Sequence, residues 1–370
     1  MWLNLFILAF VGATLVQLYF WWRVFRPLAH YPVEEERASA ADQVPVSVII
    51  CARNEAKNLQ KNLPRILNQN YRSFEVIVVN DQSNDDTTDI LLESLIYNPI
   101  LCFLHLREKP AGRFGKKFAL ARGIAAARYD HLLLTDADCC PASEDWLYHM
   151  QRKIRGPLKI GLGYGPYRKY PGWLNAFIRY ETFYTAIQYL SFALAGRPYM
   201  GVGRNLIYRK GLFDEVGGFQ EHIDLASGDD DLFVQAAADA HNTTLILNSS
   251  TFCYSEPKRT WRTYVRQKTR HLTTGKHYTT SHKMLLGALS LSHFVHFLGG
   301  FVLIVKFSTI FVISLYVVRI TSVMWTSRLL LKRLNDPSLW KWIPLLDLAF
   351  LFYYLLFAPV LMTGNTKRWK

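Results

Sequence analysis

Cysteine is scarce and badly placed for cross-linking. The five present, Cys51, Cys102, Cys139, Cys140 and Cys253, are odd in number and form no C-x-x-C pair. A disulfide framework or a thiolate zinc cage needs paired cysteines, so buried, reduced thiols are expected, the adjacent Cys139 and Cys140 included. Acid is also short: 29 aspartates and glutamates face 43 lysines and arginines, for a formal net charge of +14. Such a surface suits anionic lipid headgroups or a negatively charged ligand. Charge alone would admit nucleic acid too, but no zinc finger or basic-aromatic repeat is there to read it, so no nucleic-acid partner is expected.

No basic residue precedes the first apolar run, "LNLFILAFVGATLVQLYFWW", and no small-residue cleavage site follows it. Its length of about twenty residues suffices for a hydrocarbon core of roughly 30 Å, so a retained anchor is expected rather than a signal peptide. Arg23 and Arg26 follow the run and put its C-terminal end in the cytoplasm. Three more apolar runs begin near residue 284: "MLLGALSLSHFVHFLGGFVLIV", "FSTIFVISLYVVRITSVMW" and "WIPLLDLAFLFYYLLFAPVLM". Arg328, Lys332, Arg333 and Lys341 mark a cytoplasmic loop between the last two, while the first two adjoin at Lys306, where one long span is the alternative.

The chain thus divides into an anchor (1–22), a linker (23–45), a cytoplasmic soluble domain (46–258), an interfacial amphipathic segment (259–283), C-terminal spans (284–362) and a tail (363–370). The aromatic stretch 171–200, which carries Arg179 and Glu181, reads as interfacial, with a core helix as the alternative. His293 and His296, three apart within a span, are read as helix-packing partners, although polar groups in lipid are costly enough to raise a receptor or transporter role. The "NTT" and "NSS" matches to the glycosylation pattern carry little weight in a cytoplasmic domain.

Within the soluble domain four apolar runs, "VSVIICA" (46–52), "EVIVVND" (75–81), "ILCFLHL" (100–106) and "HLLLTD" (131–136), alternate with helix-period segments. Near-continuous apolar strands separated by helices imply a parallel sheet covered on both faces, with ligands at the carboxyl ends of its strands. Asp81 and Asp136 fall at such ends, and Asp138 follows two residues on. Two carboxylates on a short loop can share a divalent cation whose other ligands are water and phosphate oxygens, which suits Mg2+ or Mn2+. Lys116 opens the helix before this strand, where an ammonium and a helix N-terminus both favour a diphosphate; a solvated first turn is the plainer account of Lys116 and Lys117.

Further on, Asp229, Asp230 and Asp231 stand at a helix start. Capping explains one or two acids there; three in a row repel, so a partner cation or a carboxyl held near neutrality is expected. A carboxylate so held can take a proton from an alcohol. Gln267, Arg270 and His271 then share one helical stretch ahead of the spans, where a guanidinium can receive a departing phosphate or lie on anionic lipid.

In order, "VSVIICARNE", "VIVVNDQSNDDT", "GKKFALARG", "LLLTDADC", "GVGRNLIYRKGLFDEVGGF", "SGDDDLF" and "RQKTRH" resemble the membrane-anchored branch of the family 2 glycosyltransferases, over residues 46–271. The resemblance implies an α/β fold of GT-A type, a Rossmann-like mixed sheet with helices on both faces, plus one N-terminal and about three C-terminal transmembrane helices. It implies a nucleotide-diphosphate sugar, most simply a UDP-sugar, a divalent metal and transfer with inversion. Position by position, Arg53, Glu55 and Asp81 would contact the nucleotide, Lys116 the diphosphate, Asp136 the ribose, metal and phosphates, and Asp138 the metal. Asp230 matches the family base, and Gln267 and Arg270 match the first and fourth places of its Q-x-x-R-W pattern. His271 replaces the tryptophan that helps position a growing chain in processive members. The expected acceptor is therefore a lipid or lipid-linked acceptor receiving one sugar, with a processive polysaccharide synthase as the alternative.

Overall fold

The protein, seen as a computed structural model, is described over residues 2–33, 43–108, 116–225, 227–306 and 309–363. Residues 34–42 of the 23–45 linker and the tail beyond residue 363 lie outside these. Helix α1 (Trp2–Tyr19) runs through a π-turn at Phe20–Phe25 into α2 (Arg26–Ala29). The four apolar runs then become strands: β1 (Val46–Ala52), α3 (Ala56–Leu67), β2 (Phe74–Asp81), α4 (Thr87–Tyr97), β3 (Leu101–Leu106), α5 (Lys116–Ala126) and β4 (His131–Asp136) follow in alternation. β1 and β2 are buried along their whole length, which is why they read as continuous rather than alternating runs.

β1 pairs in parallel with β2 from Val46↔Phe74 and with β4 from Val46↔His131, and β3 adds to β2. After α6 (Trp146–Gln151), β6 (Ile160–Leu162) and α7 (Trp173–Leu194), strand β7 (Leu206–Arg209) joins β4 antiparallel, with Leu134 opposite Leu206. α8 (Lys210–Glu215), α9 (Asp231–Ala237) and β8 (Thr243–Leu245) complete a seven-stranded sheet ordered β3-β2-β1-β4-β7-β6-β8. Because β7 runs backwards, the residues just before it meet the carboxyl end of β4. A two-stranded ribbon of β5 (Cys139–Pro141) and β9 (Cys253–Ser255) sits over that edge.

Helix α7 corrects the interfacial reading of 171–200. It is apolar nearly all round and buried, Arg179 and Glu181 included, as expected for a helix inside the molecule. Arg179 pairs with Asp336 (Nε–Oδ2 2.8 Å) and Glu181 with Lys268 at 2.5 Å.

α10 (Trp261–Leu272) leads to α11 (Thr280–Lys306), α12 (Thr309–Arg333) and α13 (Ile343–Thr363). Together with the α1–α2 unit these supply four helices long and apolar enough to cross a membrane. α11 and α12 are separate helices packed on each other and on α1, so the single long span is ruled out. His293 does pack between these helices: its Nδ1 meets Arg319 Nη2 at 3.0 Å, and that guanidinium also reaches Gln17 Oε1 (3.0 Å) and Asp347 Oδ1 (3.2 Å). His296 meets Thr14 Oγ1 at 2.8 Å. One polar cluster thereby ties α1, α11, α12 and α13 together.

Candidate active site

The loops leaving β1 and β2 are built alike. Each carries a residue in the left-handed region just past the strand, Asn54 (φ 56°) and Gln82 (φ 56°), so the chain turns sharply at the sheet edge. The loops are laced together: Asn54 N–H donates to Ser83 Oγ (2.9 Å), and Asn84 N–H donates to Asn54 Oδ1 (2.8 Å). Asp85 then accepts from Ala56 N–H (3.1 Å) and Thr87 N–H (3.2 Å), fixing the starts of α3 and α4. On this platform Arg53 and Glu55 stand partly buried, and Asn58 Nδ2 holds Glu55 Oε2 at 2.6 Å. Asp81, at the end of β2, lies wholly beneath the surface.

The centre of the site is Lys116, at the start of α5. Its ammonium contacts Asp136 Oδ1 at 2.5 Å and Asp229 Oδ2 at 3.2 Å, joining the carboxylate that ends β4 to one just before α9. Burial works against its charge, but the two acids win and hold the lysine protonated well above its ordinary range. Asp136 is likewise kept ionised against its burial, by Lys116 first and by Arg204 and Arg270 after it.

Asp230 caps α9, accepting from Asp231 N–H at 2.9 Å and from Gly203 N–H at 2.8 Å. A Cβ on Gly203 would lie 3.6 Å from both Asp230 Oδ2 and Lys116 Nζ, so base candidate and lysine share one small space. Burial, then Asp229 and Asp231, push the Asp230 carboxyl up to about 7. Asp231 is buried instead in hydrogen bonds from Thr274 and Tyr278 (2.5 and 2.7 Å), anchoring the helix.

Asp136, Asp138 and Cys139 offer ligand atoms within 4.8 Å of one another. The Cys139 thiol is pushed up by burial and shares a hydrogen bond with Ser255 Oγ (3.0 Å), which leaves two carboxylates as the donor set. Burial, Asp136 and Glu55 raise the Asp138 carboxyl to about 6. Excess negative charge on an oxygen-only pair is what a magnesium or manganese ion relieves, so these residues fit such an ion.

Arg270 and Gln267 lie one turn apart on α10. Gln267 Nε2 donates to Tyr167 OH at 3.4 Å, and Arg270 lies within electrostatic range of Asp136. His271 accepts from Arg270 Nη2 at 2.8 Å; burial and the surrounding cations hold it neutral.

Several site residues escape sequence reasoning. Arg204 stacks over Tyr167 at 4.5 Å, donates to Ser255 Oγ at 3.3 Å and acts electrostatically on both Asp136 and Asp138. Its position in "GVGRN", between a glycine turn and a short strand, was the available signal. Lys117 is not solvated: it is 0% exposed and donates to the carbonyls of His222 (2.6 Å) and Leu225 (3.3 Å), bracing the loop before the acid triplet.

Comparison with known proteins agrees with this geometry. Residues 47–217 match the glycosyl transferase family 2 model. Poly-beta-1,6-N-acetyl-D-glucosamine synthase of Staphylococcus aureus (strain COL) is 28% identical over 116 residues, 31% of this chain and 27% of that protein, so the match spans about a quarter of the synthase. The probable glycosyltransferase YdaM of Bacillus subtilis (strain 168) is 25% identical over 292 residues, 73% of this chain and 66% of that one. The solved mannosyltransferase PcManGT of Pyrobaculum calidifontis, in complex with GDP-Man and Mn2+, shares the fold with a TM-score of 0.58 at 18% identity, covering 90% of this chain and 96% of that one. This chain carries a glycosyl transferase family 2 domain on a GT-A-type sheet.

Proposed function

We propose that this protein is an inverting glycosyltransferase, dependent on Mg2+ or Mn2+, that moves a sugar from a nucleotide-diphosphate donor, a UDP-sugar in the simplest case, to a lipid or lipid-linked acceptor at the membrane. The observation that carries the reading is the single cleft in which Lys116 bridges Asp136 and Asp229 while Asp230 hangs from Gly203 beside it. Arg53, Glu55 and Asp81 are assigned to the nucleotide, Asp136 and Asp138 to the metal. The GDP-Man and Mn2+ held by the mannosyltransferase of like fold support that donor class and a divalent ion.

A divalent ion on the two carboxylates supplies Lewis-acid neutralisation of the leaving diphosphate. The rest is the work of side chains. Asp230, poised near neutrality, takes the proton of the acceptor hydroxyl as that oxygen attacks the anomeric carbon and the bond to the diphosphate breaks. Lys116 is drawn from its carboxylates towards the new negative charge, and Arg270, Arg204 and the first turn of α5 face the same place. One displacement with one base inverts the anomeric centre. The assay is metal-dependent release of nucleoside diphosphate from a panel of nucleotide-sugars; no release from any of them with Mn2+ present overturns the reading.

The spans and basic ends support a membrane acceptor and a cytoplasmic catalytic domain. Arg333, closing α12, donates to the Tyr31 carbonyl just past α2, so the two basic helix ends lie together on the catalytic side. The synthase match favours a second reading, processive polymerisation. Against it stand His271, which is engaged by Arg270, and the Gln17–His293–Arg319–Asp347 cluster filling the space between the spans. Product size on a gel decides: one-sugar products support single transfer, and a ladder of long chains defeats it.

A further inference from the structure

The β5–β9 ribbon has two faces. Strand side chains alternate, and the pair Cys139–Ser255 points to the cleft, where Ser255 takes a bond from Arg204. The next pair, Cys140–Tyr254, turns away. Behind it lies a groove of about 450 Å³, lined by Arg65, Cys140, Arg168, Ser249, Ser250, Tyr254 and Asn335 among others. That is the size of a small-molecule site, and no acid among the described residues lines it.

Its charged lining residues are both cations, Arg65 and Arg168. Arg65, on α3, is exposed, and its guanidinium pairs with no acid among the described residues. Arg168 shares Glu256 (3.3 Å) with Lys61 (2.8 Å), so one carboxylate faces two cations and the rim stays positive. Tyr254 OH accepts from Asn335 Nδ2 at 3.2 Å, leaving its own proton for a ligand. Asn335 follows the last turn of α12, so one wall belongs to the membrane spans and the others to the catalytic domain.

We propose that this groove is a binding site for a phosphate ester, distinct from the donor cleft, with Arg65 and Arg168 gripping the phosphate oxygens. Guanidinium forks match phosphate geometry, and two of them beside the Tyr254 hydroxyl suit a phosphate rather than a neutral sugar. The ester is either a lipid headgroup, since the end of a span forms one wall, or a soluble metabolite. Nothing in this site depends on the transfer chemistry.

The test uses the full chain in detergent micelles with two probes: sn-glycerol 3-phosphate, read by thermal stabilisation, and phosphatidylglycerol against phosphatidylcholine, read by native mass spectrometry of retained lipid. Arg65→Ala and Arg168→Ala are compared with the unaltered protein. Loss of one charge-assisted contact should weaken binding by roughly tenfold or more. Saturable stabilisation by the soluble ester that both variants lose identifies a metabolite site. Preferential retention of phosphatidylglycerol that both variants lose, without response to the soluble ester, identifies a lipid site. Arg65→Ala alone decides if Arg168→Ala, which also frees Glu256, fails to fold. Neither probe binding the unaltered protein, or Arg65→Ala binding both as the unaltered protein does, overturns the proposal.

Discussion

Replacing Asp230 with asparagine removes the proposed base while keeping its shape. The amide oxygen can still accept from Asp231 N–H, where the carboxylate now does so at 2.9 Å. The amide nitrogen, however, would face Gly203 N–H, now 2.8 Å from Oδ2. That loss costs about 1 kcal/mol of stability, a change in melting temperature and not in the chemical step. The chemical step loses proton abstraction, worth roughly 10²–10⁴-fold. The assay is nucleoside diphosphate release at saturating donor and Mn2+, with donor binding followed separately by thermal stabilisation. Binding should survive and turnover should fall. The pH dependence follows from the same carboxyl: burial, Asp229 and Asp231 raise it to about 7, and only the deprotonated form is a base. Turnover should therefore climb as pH rises through about 7, with saturating metal holding Asp138 ionised. An asparagine variant retaining more than about a tenth of the turnover, or a flat profile through that region, refutes the assignment.

Asp138→Asn should raise the Mn2+ concentration for half-maximal release by about 10- to 100-fold or more, the least that a lost ligand can cost when outer-shell partners already cost that much; an unchanged titration would remove Asp138 from the metal site. Arg319→Leu leaves Asp347 buried without its cation and should cost about 3–5 kcal/mol in thermal denaturation in micelles, whereas Arg319→Leu with Asp347→Leu should cost markedly less. Gly163→Ala puts a methyl 2.6 Å from Asn205 Nδ2 and 2.7 Å from its backbone oxygen, which should lower stability by about 1–3 kcal/mol. Gly203→Ala has 3.5 Å to its nearest neighbour and should fold normally.

The parallel half of the sheet was legible because burial on both faces writes an unbroken apolar run: 46–52 and 131–136 are strands to the residue. The other half was not, because β6 and β8 are three residues long and β7 four, too short for any period to emerge. In the site, Asp136, Asp138 and Asp230 stood out as acids where an acid needs a reason. Lys117 did not, because its partners are backbone carbonyls that no side-chain pattern announces. Arg179 and Glu181 misled for a related reason: their counter-charges, Asp336 and Lys268, lie 157 and 87 residues away in sequence, so the pair looked like the polar rim of a surface helix.

Those two residues also show how the long apolar helices and the cleft are joined. Two positions apart on α7, they face different sides of the helix. Arg179 reaches Asp336 in the turn between α12 and α13; Glu181 reaches Lys268, which lies between Gln267 and Arg270 on α10. Burying an ion pair recovers little stability once desolvation is counted, so these contacts are better understood as fixing geometry. α7 holds α10 through Glu181–Lys268 and through Phe177 against Trp261 and Tyr264, and α13 packs on both helices. Arg270 thus takes its position relative to Asp136 from two neighbours, the core helix α7 and the long apolar helix α13. On the proposed reading, the cation that receives the leaving diphosphate is positioned in part by the long apolar helices of the C-terminal region, so a change in their packing would reach the transfer step through Arg270.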